Sequence, residues 1–198
     1  MLDSMKRLRW YQVAATDARV GLVEDVYFDS HSWDVRYLVV EKGMLLWRRR
    51  YFVPALAVAE VEPHERRLQL RLSKEQVAQC SPSGVGRTLS RRAGCPWTRK
   101  ASAAADDYRL RSAKQLIGHR VQAVDGAVGR IGDVLVDAQP VSVPRIVVAT
   151  RKWLPGRKVT VLTKHVQGIN GANQRVFLDI NRKAVRNSPK YDPAEQMS

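Results

Sequence analysis

RVGLVEDVYFD (Arg19–Asp29) and AVGRIGDVLVD (Ala127–Asp137) are one segment written twice. Gly21 aligns with Gly129, Asp25 with Asp133 and Asp29 with Asp137, each pair 108 residues apart. The offset holds without a gap from Ser4/Ser112 to Val77/Val185, with 21 identities over 74 aligned positions. Nearly all of these are apolar or turn-forming, among them Val13/Val121, Val39/Val147, Val53/Val161 and Leu70/Leu178. What repeats is therefore a piece of fold. Two copies point to a duplicated domain; a solenoid needs three or more units.

The residues between the copies are rich in Ser, Gly, Ala and Arg and lack periodicity, which is the composition of a flexible linker. The expected organisation is a first domain at 1–82, a basic linker at 83–107, and a second domain with a short tail at 108–198.

Within each copy the pattern is mostly β. DVYFD and DVLVD alternate, so their valines and aspartates face opposite sides of a strand. RYLVVE and RIVVAT are near-continuous apolar strands, followed by YFVPAL and KVTVLT, then RLQLRL and RVFLDI. That gives five or six short antiparallel strands per copy, the signature of a small barrel. Asp125-Gly126 predicts a two-residue hairpin with positive φ at both positions. The first copy has Asp17-Ala18 there, and Ala resists that conformation, so its turn should differ or be strained. Gly132 breaks the parity between Ile131 and Val134, which predicts a bulge. Short helices are expected after Ser73, Ser112 and Asn181, each a good N-cap.

The formal net charge is +15. Residues 1–82 hold 13 Lys/Arg and 11 Asp/Glu, residues 83–111 hold 7 and 2, and residues 112–198 hold 14 and 6. The basic excess thus sits in the linker and second half, and such a chain is attracted to polyanions. No apolar run approaches a membrane span, and the N-terminus lacks the apolar centre of a signal peptide. Two cysteines are too few for a disulfide framework. A cytoplasmic setting is expected, with a peripheral position at the inner membrane surface as a variant.

The second copy carries QLIGHRVQAVDGAVGRIGDVLVD, then RIVVATRKWLPGRKVTVL, then AVRNSPKYDP. These segments resemble PRC-barrel domain proteins. Such small β-barrels form the cytoplasmic part of the photosynthetic reaction centre H subunit and the C-terminal half of the ribosome maturation factor RimM. The resemblance covers most of 4–82 and 108–193, and is strongest to bacterial proteins carrying the barrel twice. It implies two tandem barrels in a mainly β fold. It also implies a binding, docking or assembly role without enzyme activity. The first copy departs from it: MLLWRRRYFV replaces KWLPGRKVTV, and SPxYDP shrinks to Ser81-Pro82.

No catalytic, metal or cofactor motif emerges. Aspartates four apart on a strand lie about 13 Å apart, too far to act on one bond, so turn and strand-end duty is expected of them. The four histidines make no metal-ligand spacing, and Cys80 and Cys95 form no C-x-x-C pair. The candidate contact residues are Trp47, Arg48, Arg49 and Arg50 in the first copy, and Lys152, Trp153, Arg157 and Lys158 in the second. Trp offers a stacking face and Arg a planar pair of donors. The competing account folds each Trp over its own barrel and leaves the charges in water. The expected partner is a protein, with self-association included. RNA, the ribosome or an anionic lipid surface is the alternative.

Overall fold

The computed structural model describes residues 2–43, 48–80, 110–138, 141–150 and 157–193. The predicted linker lies outside them. In chain order the elements are β1 (Leu2–Ser4), α1 (Met5–Leu8), β2 (Gln12–Ala14), β3 (Arg19–Asp29), β4 (Val35–Lys42), β5 (Arg49–Pro54), β6 (Val58–Glu62), β7 (Arg67–Leu70) and α2 (Lys74–Gln79). The second half repeats them as β8 (Leu110–Ser112), α3 (Ala113–Leu116), β9 (Arg120–Ala123), β10 (Gly126–Ala138), β11 (Val141–Ala149), β12 (Lys158–Leu162), β13 (Val166–Asn170), β14 (Arg175–Leu178) and α4 (Arg182–Asn187).

The fold is mainly β, as expected, with two seven-stranded sheets of matching order. One runs β5-β4-β3-β2-β7-β6 and the other β12-β11-β10-β9-β14-β13. Each seventh strand comes from the other half: β8 pairs with β3, and β1 pairs with β10. Pairing is antiparallel except for β2 with β7 and β9 with β14, which are parallel. Strand alternation carries no information about that closing pair, because direction is set by the route of the chain.

Equivalent residues fill equivalent places. Val13, Val26, Val53 and Leu70 are buried in the first half, and Val121, Val134, Val161 and Leu178 in the second. Burying each Val contributes about 2 kcal/mol against the cost of ordering the chain. The recurring glycine has a steric cause. A Cβ on Gly21 would sit 2.2 Å from the Glu41 carbonyl oxygen, and one on Gly129 2.1 Å from that of Ala149.

The bulge falls at Gly132: Ile131 opposes Val148 while Asp133 opposes Val147. The second-half hairpin forms one residue earlier than the sequence suggests. Ala123 pairs with Gly126, so Val124 and Asp125 make the turn, and only Gly126 takes positive φ, at 136°. Asp125 is used elsewhere: its carboxylate accepts the Arg182 backbone N–H at 2.7 Å, tethering the start of α4. Asp17 does the same for Lys74 at the start of α2, at 2.8 Å. That bond explains an Asp at both turns. Ala18 keeps negative φ, so the first-copy turn differs without strain at that position.

Ser73 and Gln76 form a full capping box on α2. Ser112 and Asn181 accept the expected N3 backbone N–H groups of α3 and α4. Gly118, at φ 97°, follows the end of α3.

Candidate functional site

The repeated Asp25 and Asp133 face the junction between the halves. Both are buried, 6% and 5% exposed. Asp25 accepts a hydrogen bond from the Ser112 hydroxyl, the Lys114 backbone N–H at 3.0 Å and its neighbour Val26 N–H at 2.8 Å. Asp133 accepts from Ser4 Oγ at 2.6 Å and from Val134 N–H at 2.8 Å. The arrangement is reciprocal: each half's aspartate holds the serine that ends the strand donated by the other half. Burial pushes the Asp25 carboxyl up, against the opposing pull of Ser112 and the Lys114 and Val26 N–H groups. Asp29 does perform the expected turn duty, accepting from His31 N–H at 2.7 Å and Ser32 N–H at 3.2 Å.

A third contact crosses the junction at Trp33. It is buried, stacked on Phe28 with centroids 4.9 Å apart, and held at φ 63°. Its carbonyl accepts the Val143 N–H at 2.8 Å.

The basic run at 48–50 leads into β5, at the end of the first sheet's strand order, and its first and last arginines are engaged. Arg48 pairs with Glu41 at 3.2 Å, and Arg50 lies 3.7 Å from both Glu41 and Glu24. Glu24 also binds Lys114 of the other half and lies 3.8 Å from Arg9. Burial works to raise the Glu24 carboxyl, but the Lys114 hydrogen bond and the charges of Lys114, Arg9 and Arg50 outweigh it and hold it below the usual range. Arg49 is exposed and makes no ion pair among the described residues. Lys158 is exposed and Arg157 half-buried, its Nε buried without a hydrogen-bond partner among the described residues. Trp47, Lys152 and Trp153 lie outside the described residues, so the expected Trp-and-Arg tips are seen only at their bases.

The SPKYDP segment, Ser188–Pro193, runs along the edge of the second sheet. The Pro189 carbonyl accepts Thr160 N–H at 2.9 Å, and Tyr191 N–H donates to the Lys158 carbonyl at 2.9 Å. In the first half Phe52 N–H instead donates to the Cys80 carbonyl. The motif therefore covers an edge strand, which would otherwise expose unpaired backbone groups.

Near the junction each half has a cleft. The first is apolar and tight, about 70 Å³, lined by Leu8, Val26, Leu38, Leu68 and residues of the opposing half such as Val136 and Val141. At its edge Asp3 accepts the buried Tyr11 hydroxyl, with Arg7 3.6 Å away. Burial and that bond raise the Tyr11 pKa. The second cleft, about 690 Å³, is open and half polar, and includes Arg111, Gln115, His119 and Gln174.

His119 is buried; His165 bonds Asp179 at 3.0 Å. No group of three His, Cys, Asp or Glu side chains suited to a metal occurs among the described residues. Nor does any helix there have the length and apolarity to cross a membrane.

The fold and junction define a mainly β chain whose two like-ordered sheets are stitched together by exchanged strands. Its first half carries a family signature: residues 6–77 match the PRC-barrel domain, which suggests a small binding or assembly module. No curated protein matches the chain.

Sequence reasoning missed the junction clamp and the open cleft. Ser4/Ser112 and Asp25/Asp133 were visible as identities at the 108-residue offset. Nothing in one sequence says that each serine reaches the other copy's aspartate.

Proposed function

We propose that this chain is a non-enzymatic protein-interaction or assembly module built on two PRC-barrels, the second formed by the repeat at 108–198. The observation that carries this reading is the reciprocal strand exchange, in which β3 takes up β8 and β10 takes up β1. Adding a strand to an exposed edge is a common way for proteins to recognise one another, with backbone bonds giving affinity and side chains giving selectivity. Here the sheets already accept strands from outside their own half. Exposed apolar side chains at Trp10 and Leu56, each 69% accessible, offer further contact points.

The alternative is an RNA- or ribosome-associated factor, or a peripheral binder of anionic membrane. It draws on the net charge of +15 and on exposed Arg49 and Lys158. The ion pairs of Arg48 and Arg50 count against it, because engaged guanidinium groups release fewer counterions from a polyanion.

A photo-crosslinking residue at Trp10 or Leu56 in the full chain, activated in cells, tests the choice. Discrete protein adducts at one of these positions support the module. Adducts that disappear on ribonuclease treatment move the chain to the RNA class.

A further inference from the structure

The linings of the two clefts share four aligned pairs, Asp3/Arg111, Leu8/Leu116, Val61/Ile169 and Pro63/Gly171, but differ in charge. Asp3, Arg7 and Tyr11 stand 108 residues before Arg111, Gln115 and His119. In the first half the carboxylate is supplied by the chain: Asp3 sits with the Tyr11 hydroxyl, its own neighbour Ser4 N–H at 2.8 Å, and Arg7. In the second half that acid is replaced by Arg111. The groups around it are Gln115, His119 and Gln174, and the described lining contains no carboxylate.

Arg111 is correspondingly underused. Among the described residues its Nε is buried without a hydrogen-bond partner, and its Nη1 donates to the Leu110 carbonyl at 3.3 Å. A buried unpartnered donor costs about 1–3 kcal/mol, more when charged, and such groups call for an explanation. The cleft, at about 690 Å³, has room for a small organic molecule, and Leu116 and Ile169 give it apolar wall. Burial lowers the His119 pKa, partly offset by its hydrogen bond to the Gln115 backbone, so at neutral pH the described lining carries one full positive charge, on Arg111.

We propose that this cleft binds a monoanionic carboxylate carried on an apolar body, with the carboxylate on Arg111 and the body against Leu116 and Ile169. The ligand supplies, against Arg111, the carboxylate that the described lining lacks. One guanidinium matches one carboxylate in charge and in planar donor spacing, whereas a dianionic phosphate would be left undercompensated. The carboxylate belongs either to a free small acid or to the C-terminus of a peptide.

The test is calorimetric titration of the full chain with octanoate, N-acetyl-leucine and the neutral isostere octanamide. NMR of the arginine Nε–H resonances runs in parallel. Saturable binding of octanoate or N-acetyl-leucine at about 1 mM or tighter, a shifted Arg111 Nε–H signal and no binding of octanamide are expected. Preference for octanoate points to a free acid, and preference for N-acetyl-leucine to a chain terminus.

Arg111→Gln should weaken binding at least about tenfold, the loss of one charge-assisted contact. Arg111 lies in β8, so that variant could disturb the junction. Arg111→Lys keeps the charge and stem and should bind with intermediate affinity. Gln174→Gly removes an exposed cleft side chain at a position of φ 49°, which glycine adopts freely, and should weaken binding without lowering thermal stability. Absence of saturable binding by either acid overturns the proposal. So does octanamide binding equal to octanoate, or affinity unchanged in both Arg111→Lys and Gln174→Gly.

Discussion

At the scale of single residues, the two halves share two kinds of position for different physical reasons. Gly21 is kept by space. Its missing Cβ leaves room for the Glu41 carbonyl, so Gly21→Ala should destabilise the chain by about 3 kcal/mol, the range for an enforced backbone shift in a packed sheet, measured as a lowered urea midpoint. Asp25 is kept by its bonds. Asp25→Ala strands the Ser112 hydroxyl and the Lys114 N–H at a buried junction, for an expected loss of about 3 kcal/mol; Asp25→Asn, which retains an acceptor, should lose less. Asp25 also makes stability depend on pH. Its folded pKa is raised, so between the unfolded and folded values the folded state binds more protons. Its contribution is then greatest in acid and declines as pH rises through the folded pKa. Asp25→Asn lacks that decline, so its urea midpoint should gain on the wild type as pH is raised from about 4 to about 7. A gap between the two proteins that stays constant over that range would contradict the assignment.

At the scale of elements, the strands, the caps and the Gly132 bulge were legible because each is encoded by residues adjacent in the chain. Alternation set the faces of β3 and β10, and Ser73 and Gln76 announced α2. The turn at Val124 and Asp125 lies one residue before the Asp-Gly pair that predicts it, and the Asp125 side chain is committed to α4. Strand exchange was illegible for a stronger reason. β1 and β8 are three residues long, and their partners lie more than 80 residues away along the chain. Short as it is, β1 covers Leu135, Val136 and Asp137 of β10 and delivers Ser4 to Asp133. Removing residues 1–4 should therefore speed amide hydrogen exchange in β10 near 133–137, far from the cut in sequence, while β6 and β7 of the first sheet keep their protection. Exchange that speeds equally in both sheets would mean that β1 serves the whole molecule rather than its partner strand.

At the scale of the whole molecule, net charge is a poor guide to the surface, because it ignores which charges are already engaged. The sequence showed three adjacent arginines; it could not show that Glu24 and Glu41, on neighbouring strands β3 and β4, reach two of them. Pairs whose arginine lies in solvent contribute only about 0–1 kcal/mol each to stability. Their larger effect is on what the surface offers to a partner. Replacing both acids, Glu24→Gln and Glu41→Gln together, frees Arg48 and Arg50, and with them Arg9 and Lys114, which Glu24 also engages. Affinity for structured RNA should then rise severalfold at low salt. The slope of log K against log salt should steepen by about 2 to 4, one unit for each basic group newly able to displace a counterion. Adding Arg48→Ala and Arg50→Ala to the double variant should take back about 2 of that change. If the slope does not move in the first variant, the arginines were never restrained by these acids, and the case against a polyanion partner loses its main support.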